Sequence, residues 1–440
     1  MKGKRNKNIL WKIHHWLGLY VGIVIAALSF TGAAAIFIPE IDQWLTRNYH
    51  QVSPKESKVP VADILVKLDS AYSDYRLLNI FPPASSYEAL VFDYYKNDGA
   101  NNARYHVYVD PYSGEILGTK DHYNGLANYL RQLHVRLLDN LYGRQLVGIA
   151  GIGLFIISLT GILIYGKFMK KQSFAEIRKG KGLRILMADW HKLIGITALV
   201  FNLMIAGTGA WLGLQPKIIQ WFDIKAPNKF KRSEILKSAQ EDIQEVFDYD
   251  HLVAKASLSI PEFIPTLVIP SSDGSNTVEV AGDIQGLPFE PHISKIIFDK
   301  TTGKEIFKYD IRDQTLGDQI YYIQEGLHFG RFGGIWLKIA YAILGLSSGI
   351  LSITGYVIYL ARQKNKYSKP NLALRRVSFY CLVGLMSFVV FGFISVWIGY
   401  AVATGIVTPL VYIFLFCYLS YQLYIFWHKK RTIKESVLAK

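Results

Sequence analysis

Residues 12–32 read KIHHWLGLYVGIVIAALSFTG, and residues 189–209 read DWHKLIGITALVFNLMIAGTG. In each stretch a histidine, His14 or His191, is followed by glycine four positions later and by Thr-Gly seventeen and eighteen positions later. Both stretches are apolar enough to cross a membrane as helices. The shared frame indicates that the chain is an internal duplication.

A second pair of histidines repeats this regularity. His134 and His328 each follow a leucine, and each precedes a Thr-Gly by twenty-six positions. The pattern therefore predicts four histidines in register with membrane helices, two in each copy.

Between the helices of each copy, the sequence predicts an α+β domain. In the first copy an amphipathic helix near 61–72 precedes alternating strands around 90–95 and 105–109. A turn follows in each copy, with Asp at its start and Gly four positions later, where a positive φ is expected. The turn residues are Asp110 and Gly114 in the first copy, Asp299 and Gly303 in the second.

Composition predicts an integral membrane protein, because 51% of the residues are hydrophobic and only 19% are charged. Six stretches are long and apolar enough to span a bilayer. They are residues 14–38, 144–166, 193–214, 336–360, 376–403 and 406–427.

The net charge of +15 does not indicate nucleic-acid binding, because the basic residues cluster in short segments on one side of the predicted spans. Residues 1–12, 167–192, 362–376 and 428–440 together hold twenty-four basic residues and three acidic ones. By the positive-inside rule, both termini are cytoplasmic and the two long loops face outward. We therefore expect a multi-pass membrane protein with both termini in the cytoplasm.

The predicted fold class is an α-helical integral membrane protein with six transmembrane helices and two α+β extracytoplasmic domains. The helix–domain–helix unit occurs twice, and two C-terminal helices without a repeat partner follow. The predicted segments are 1–38 (N-terminus and first helix), 39–133 (first outer domain), 134–166 (second helix), 167–192 (basic loop), 193–214 (third helix), 215–327 (second outer domain), 328–361 (fourth helix) and 362–440 (fifth and sixth helices and tail).

The predicted topology assigns each histidine to one face of the membrane. His14 and His191 begin helices that enter from the cytoplasm, whereas His134 and His328 precede helices that enter from outside. Two repeats of the same topology are related by a pseudo-twofold axis along the membrane normal. This axis pairs His14 with His191 near the inner face and His134 with His328 near the outer face.

Neutral imidazole is the usual side chain for binding a metal or haem within a membrane, and two imidazoles on one haem iron leave no open coordination site. The alternative for a single histidine is an interfacial anchor or a helix-end cap. The glycines and Thr-Gly pairs likewise have two interpretations, close helix packing or room for a flat macrocycle.

The chain resembles the PepSY-associated transmembrane family. The resemblance rests on Lys12-Ile-His14-His-Trp-Leu-Gly18-Leu with a following Thr31-Gly32, on Asp110-Pro-Tyr-Ser-Gly114-Glu, and on Leu133-His134 followed by Thr160-Gly161. It covers roughly residues 8–362 and implies PepSY-like outer domains. Members that look like ferric-siderophore reductases of the inner membrane imply two b-type haems ligated by His14, His134, His191 and His328.

Four arginines lie near the outer histidines, namely Arg131, Arg136, Arg144 and Arg331. They either pair with helix ends and lipid headgroups, or neutralise haem propionates, or attract an anionic substrate.

The leading functional hypothesis is a dihaem oxidoreductase. It would pass electrons from a cytoplasmic or quinol donor to a ferric siderophore or other iron chelate outside, releasing Fe(II). Two alternatives remain: a non-enzymatic membrane protein whose PepSY-like domains bind an envelope partner or protease, and an accessory component of iron transport with relay histidines. The sequence predicts no fused nicotinamide or flavin domain.

Overall fold

The computed structural model describes residues 2–97, 102–139, 142–165, 173–225, 248–270 and 276–362. The helices of the first copy are α1 (Lys2–Ala35), α2 (Ile38–Leu45), α3 (Arg47–His50), α4 (Val61–Ala71), α5 (Leu126–Arg136) and α6 (Gly143–Tyr165). Those of the second copy are α7 (Leu183–Thr197), α8 (Leu199–Phe222), α9 (Tyr249–Ser259), α10 (Leu316–Phe329) and α11 (Gly334–Arg362). Two short 3₁₀ turns occupy Ile311–Asp313 and Arg331–Gly333.

Each copy contributes four antiparallel strands in the same order. The strands are β1 (Arg76–Phe81), β2 (Leu90–Asn97), β3 (Asn102–Val109), β4 (Ile116–Asp121), β5 (Phe263–Pro270), β6 (Thr277–Ile284), β7 (Ser294–Asp299) and β8 (Glu305–Tyr309). The predicted helix near 61–72 and the predicted strands of the first copy are confirmed by α4, β2 and β3.

The prediction of two separate outer domains is wrong, because the strands form one eight-stranded sheet in the order β4-β3-β2-β1-β5-β6-β7-β8. Strands β1 and β5 meet antiparallel at the centre, with Ile80 opposite Val268. Both residues are 2% exposed. Pairing these strands removes two open sheet edges, which would otherwise present unsatisfied backbone groups.

The two halves of the sheet share one hydrophobic core. Ile64, Leu68 and Phe92 of the first copy belong to the same buried cluster as Leu252 and Phe298 of the second. The helices also meet across the seam, because the backbone N–H of Val61 donates to the Asp250 carboxylate at 3.1 Å. Neither half closes its core alone.

The prediction of six transmembrane helices is also wrong for the described part of the chain. Three helices there, Ile9–Ala35, Gly143–Tyr165 and Arg331–Arg362, are long and apolar enough to cross a membrane. A fourth candidate is the bent pair Leu183–Thr197 and Leu199–Phe222, whose axes differ by 68°. The fifth and sixth predicted spans, 376–403 and 406–427, lie outside the described residues.

The predicted span 193–214 contains the break between α7 and α8 at Ala198. Just before it, the Thr197 hydroxyl donates to the carbonyls of Leu193 and Ile194 at 3.0 and 3.1 Å. Such back-bonding by threonine bends helices. The equivalent position of the first copy, 177 residues earlier, is Tyr20, and α1 continues through it without a break.

The two predicted turns are confirmed. Gly114 and Gly303 have φ values of +67° and +62°. The N–H of Gly114 donates to the Asp110 carbonyl at 2.8 Å, and that of Gly303 donates to the Asp299 carbonyl at 2.9 Å. The repeat therefore extends from the helices into the sheet.

Candidate paired-histidine site

The structure brings the four histidines together as two pairs, each with one residue from either copy. The ring centroids of His14 and His191 are 6.3 Å apart, and those of His134 and His328 are 6.2 Å apart. His134 lies on α5 and His328 on α10, the helices that follow β4 and β8. The His134–His328 pair is therefore at the sheet end of the helices, and the His14–His191 pair is at the other end.

Each imidazole contacts the threonine of a Thr-Gly pair on another helix of its own copy. The distances from imidazole Nδ1 to threonine Oγ1 are 3.1 Å for His14–Thr160, 3.2 Å for His134–Thr31, 2.8 Å for His191–Thr354 and 2.9 Å for His328–Thr208. Thus each copy orients its own two histidines, and the two copies together form each pair.

The threonine hydroxyls also fix which imidazole nitrogen carries the proton. Each hydroxyl lies within hydrogen-bonding distance of a carbonyl one turn back in its own helix, for example Thr160 to Ile156 at 2.8 Å and Thr208 to Met204 at 2.8 Å. A hydroxyl has a single proton, so when it donates to that carbonyl its oxygen accepts from imidazole Nδ1–H. This leaves the Nε2 lone pair of each histidine available for a ligand.

The glycine of each Thr-Gly pair makes room for the same imidazole. A Cβ on Gly32 would lie 2.7 Å from His134 Cε1, and one on Gly209 would lie 3.2 Å from His328 Cε1. The corresponding distances are 3.4 Å from Gly161 to His14 and 3.7 Å from Gly355 to His191. The Thr-Gly dipeptide therefore combines a hydrogen-bond acceptor with the space that the ring occupies.

A cavity of about 330 Å³ adjoins His14 and His191. This volume is at the lower end of the range for ligand pockets. Its wall includes glycines of four helices, namely Gly18, Gly22, Gly161, Gly195 and Gly355.

Two of these glycines are not explained by helix packing. A Cβ on Gly18 would meet nothing within 4 Å, and one on Gly195 would touch only Leu351 at 3.7 Å. Gly148 differs, because a Cβ there would lie 2.7 Å from Leu214. Gly148 thus allows α6 and α8 to pack closely, whereas Gly18 and Gly195 keep the cavity wall flat.

The spacing of each pair fits two ligands on opposite sides of one metal ion. With metal–nitrogen bonds of about 2.0 Å and each nitrogen about 1.1 Å from its ring centre, trans imidazoles have centroids about 6.2 Å apart, whereas tetrahedral ones are about 5 Å apart. The observed 6.3 and 6.2 Å match the trans arrangement. Among the described residues, no group of three or more His, Cys, Asp or Glu side chains is placed to hold a metal.

The four arginines predicted near the outer pair have different environments. Arg144 donates through Nε and Nη2 to the Leu212 carbonyl at 3.0 and 2.8 Å, which joins the start of α6 to α8. Arg331 lies 4.0 Å from the Glu325 carboxylate and over the Phe329 ring. Arg131 is exposed on α5, and Arg136 is half-buried at its end.

The sheet-end pair is held in its neutral form. Desolvation lowers the pKa of His134 to about 4, and desolvation together with the charge of His134 lowers that of His328 to about 3. Nearby, burial and the charge of Glu325 raise the pKa of Glu290 to about 7. Glu290 lies before β7 and its N–H donates to the Tyr322 carbonyl of α10.

Sequence reasoning assigned the Thr-Gly pairs to close helix packing or to room for a flat macrocycle, and it missed the contacts of the threonines with the histidines. Their spacing of seventeen or twenty-six positions after a histidine was the available signal. That spacing does not predict the contact, since each threonine binds the other histidine of its copy.

The structure defines a membrane protein built from two copies of a helix–sheet–helix unit, with two histidine pairs at opposite ends of its helices. The chain belongs to the family described as PepSY-associated TM region, which it matches over residues 11–362. It is also similar to the uncharacterized protein PA4219 of Pseudomonas aeruginosa, with 26% identity over 285 residues. That match covers 59% of this chain and 69% of the relative.

Proposed function

We propose that the protein is a membrane-embedded oxidoreductase with two b-type haems, one held by His14 and His191 and the other by His134 and His328. The observation that carries this proposal is the 6.3 and 6.2 Å separation of the ring centroids in the two histidine pairs, with every Nδ1 within hydrogen-bonding distance of a threonine hydroxyl. A haem held by each pair of histidines would supply a one-electron Fe(III)/Fe(II) couple.

The protein side chains contribute orientation and a dry environment. Thr160 and Thr354 hold the rings of His14 and His191 at fixed rotation, and such outer hydrogen bonds also raise the basicity of a ligating imidazole. Gly18 and Gly195 leave space for a planar group. These roles suit electron transfer rather than oxygen binding.

The two sites lie far apart along the membrane normal. His14 and Thr31, the partner of His134, are seventeen residues apart on α1, which corresponds to about 25 Å of helix. The basic segments favour an orientation with the His14–His191 end at the cytoplasmic face of a bacterial inner membrane and both termini in the cytoplasm. Electrons from a cytoplasmic donor or from quinol would then leave at the sheet end.

The proposed acceptor is a ferric chelate such as a siderophore, bound near the sheet-end pair. Each ferric ion takes one electron and becomes Fe(II), which hard oxygen ligands hold much less firmly. The exposed side chains of Arg131 and Arg331 favour an anionic chelate at this end.

Haem stoichiometry tests the proposal. The purified protein should bind two haems per chain, with a Soret band and α/β bands that sharpen on reduction by dithionite. His14→Ala and His191→Ala should abolish one centre, and His134→Ala and His328→Ala the other. His251→Ala, an exposed histidine on α9, is the matched control.

A colourless protein after haem-supplemented expression would overturn the proposal and favour a non-enzymatic partner-binding protein. Loss of the same haem in both His14→Ala and His134→Ala chains would overturn the ligand pairing. Reduction of a ferric chelate outside proteoliposomes, with reductant supplied inside, tests the acceptor separately.

A further inference from the structure

A buried carboxylate holds two basic side chains at one end of the His14–His191 cavity. The Asp189 side chain has no exposed surface, and it accepts from Arg178 Nη2 at 2.8 Å and Nε at 3.0 Å. Lys192 Nζ also lies 2.8 Å from Asp189 Oδ1. One buried carboxylate thus holds two basic side chains, and the charge of Glu176 also acts on Arg178.

Both basic residues line the cavity together with Arg362, whose guanidinium lies 5.6 Å from the centre of the Trp11 ring. We call Arg178, Lys192 and Arg362 the cationic rim. No aspartate or glutamate is among the described residues that line this cavity. Three basic side chains therefore line a largely apolar space, which favours a ligand with an anionic group.

The rim lies at the accessible end of the cavity. Arg178 retains 40% of its side-chain exposure and Lys192 retains 20%. Ile25, Asn202 and Ser348, which line the cavity elsewhere, are 3–5% exposed. The cavity therefore accepts a ligand with an apolar body and an anionic edge.

We propose that Arg178 and Lys192 bind the carboxylates of the cavity ligand, with Asp189 as their positioning residue. The inference rests on the proposed function, for which these carboxylates are the haem propionates. Arginine has five N–H donors, so Arg178 can bind a second carboxylate while it remains bound to Asp189. Fixing both side chains on Asp189 in advance reduces the entropy that binding must cost.

This arrangement belongs to one copy only. In the first copy Lys12 and His15 occupy the positions equivalent to Asp189 and Lys192. The cationic rim therefore gives the cavity one preferred ligand orientation, in spite of the pseudo-twofold relation between the histidines.

A comparison of haem b with its dimethyl ester, in which both propionates are uncharged, tests the inference. The full-length His134→Ala chain, purified in zwitterionic detergent, restricts loading to the His14–His191 centre. With an intact rim we expect the diacid to bind about tenfold or more tightly than the diester. Arg178→Gln and Lys192→Gln should each reduce this ratio towards one, while Arg184→Gln, an exposed arginine of α7 outside the cavity, should not.

The outcomes separate the two proposals. Binding of neither haem form by the unaltered chain would overturn the proposed function itself. Equal binding of diacid and diester would overturn only the inference about the cationic rim. An equal loss of binding of both haem forms in Arg178→Gln would do the same. If added anionic lipid abolished the difference in affinity between diacid and diester, the cationic rim would be a binding site for lipid phosphate. This result would also overturn the inference. The unaltered chain should show the same contrast for one of its two haems, which keeps the test valid if the His134→Ala chain fails to fold.

Discussion

Nδ1 of His191 lies 2.8 Å from Oγ1 of Thr354, although 163 positions separate the two residues. The same contact occurs at the other three histidines, each time within one copy of the repeat. Each copy of the repeat therefore contains its two histidines and also the two threonines that orient them.

Removing that threonine hydroxyl should loosen the site. Thr354→Val keeps the side-chain shape but leaves His191 Nδ1–H without its threonine acceptor. We expect about ten- to hundredfold weaker haem binding at this centre, as is typical when an outer hydrogen bond of a ligating histidine is lost. Haem titration measures the change. Ser347→Ala on the same helix, whose hydroxyl donates to the Leu344 carbonyl, should be neutral.

A methyl group at Gly32 should displace a ring. Because a Cβ there would lie 2.7 Å from His134 Cε1, Gly32→Ala should reduce the haem content from two per chain towards one. Gly207→Ala is the matched control, since a Cβ on Gly207 meets nothing within 4 Å. Pyridine haemochrome analysis gives the ratio, and a Gly32→Ala chain with two normal haems would contradict the role assigned to this glycine.

A bulky side chain at Gly18 should fill the cavity without pushing helices apart. Gly18→Leu places its side chain where a Cβ has no neighbour within 4 Å, so we expect a folded protein that lacks only the His14–His191 haem. Gly207→Leu, on the exposed surface of α8, should keep both haems. Spectroscopy of the remaining centre identifies which one was lost, and loss of the other centre would refute the prediction.

The stability of the sheet end should depend on Glu290. Its pKa is raised from 4.5 to about 7, so the folded protein binds this proton more tightly than the unfolded chain does. Folding stability therefore falls as the pH rises from about 4.5 to 7 and stays lower above that range. Glu290→Gln should raise the Tm by roughly 2 °C at pH 8, with solvent screening limiting the gain, and by less at pH 4.5.

Thermal unfolding of both proteins across this pH range checks the Glu290 prediction. Glu115→Gln, at an exposed glutamate of the first copy, should show no such pH dependence. An advantage for Glu290→Gln that grows at low pH would contradict the assigned sign.

Local pattern was sufficient for much of the molecule. Apolar runs predicted α1, α6 and α11, alternation predicted β2 and β3, and the Asp-to-Gly spacing predicted two turns with positive φ. The repeat also predicted which two histidines form each pair. Each of these features depends on residues within one segment or on the comparison of two segments.

Other features needed the tertiary structure, because they arise between segments that are distant in sequence. The sequence predicted two outer domains, but the edges of β1 and β5 join at Ile80 and Val268 and bury a single core. It predicted a span at 193–214 and gave no sign of the bend there, which hydrogen bonding by Thr197 accompanies.

By itself, then, the sequence determined the duplication, the apolar helices α1, α6 and α11 and the register of the four histidines, because periodicity and spacing are written along the chain. Only the tertiary structure decided that each imidazole meets a threonine of another helix and that Asp189 gathers Arg178 and Lys192 at the cavity. Those contacts depend on how the helices pack in three dimensions. The packing sets the distances between side chains of different helices, and the spacing of residues along one helix does not.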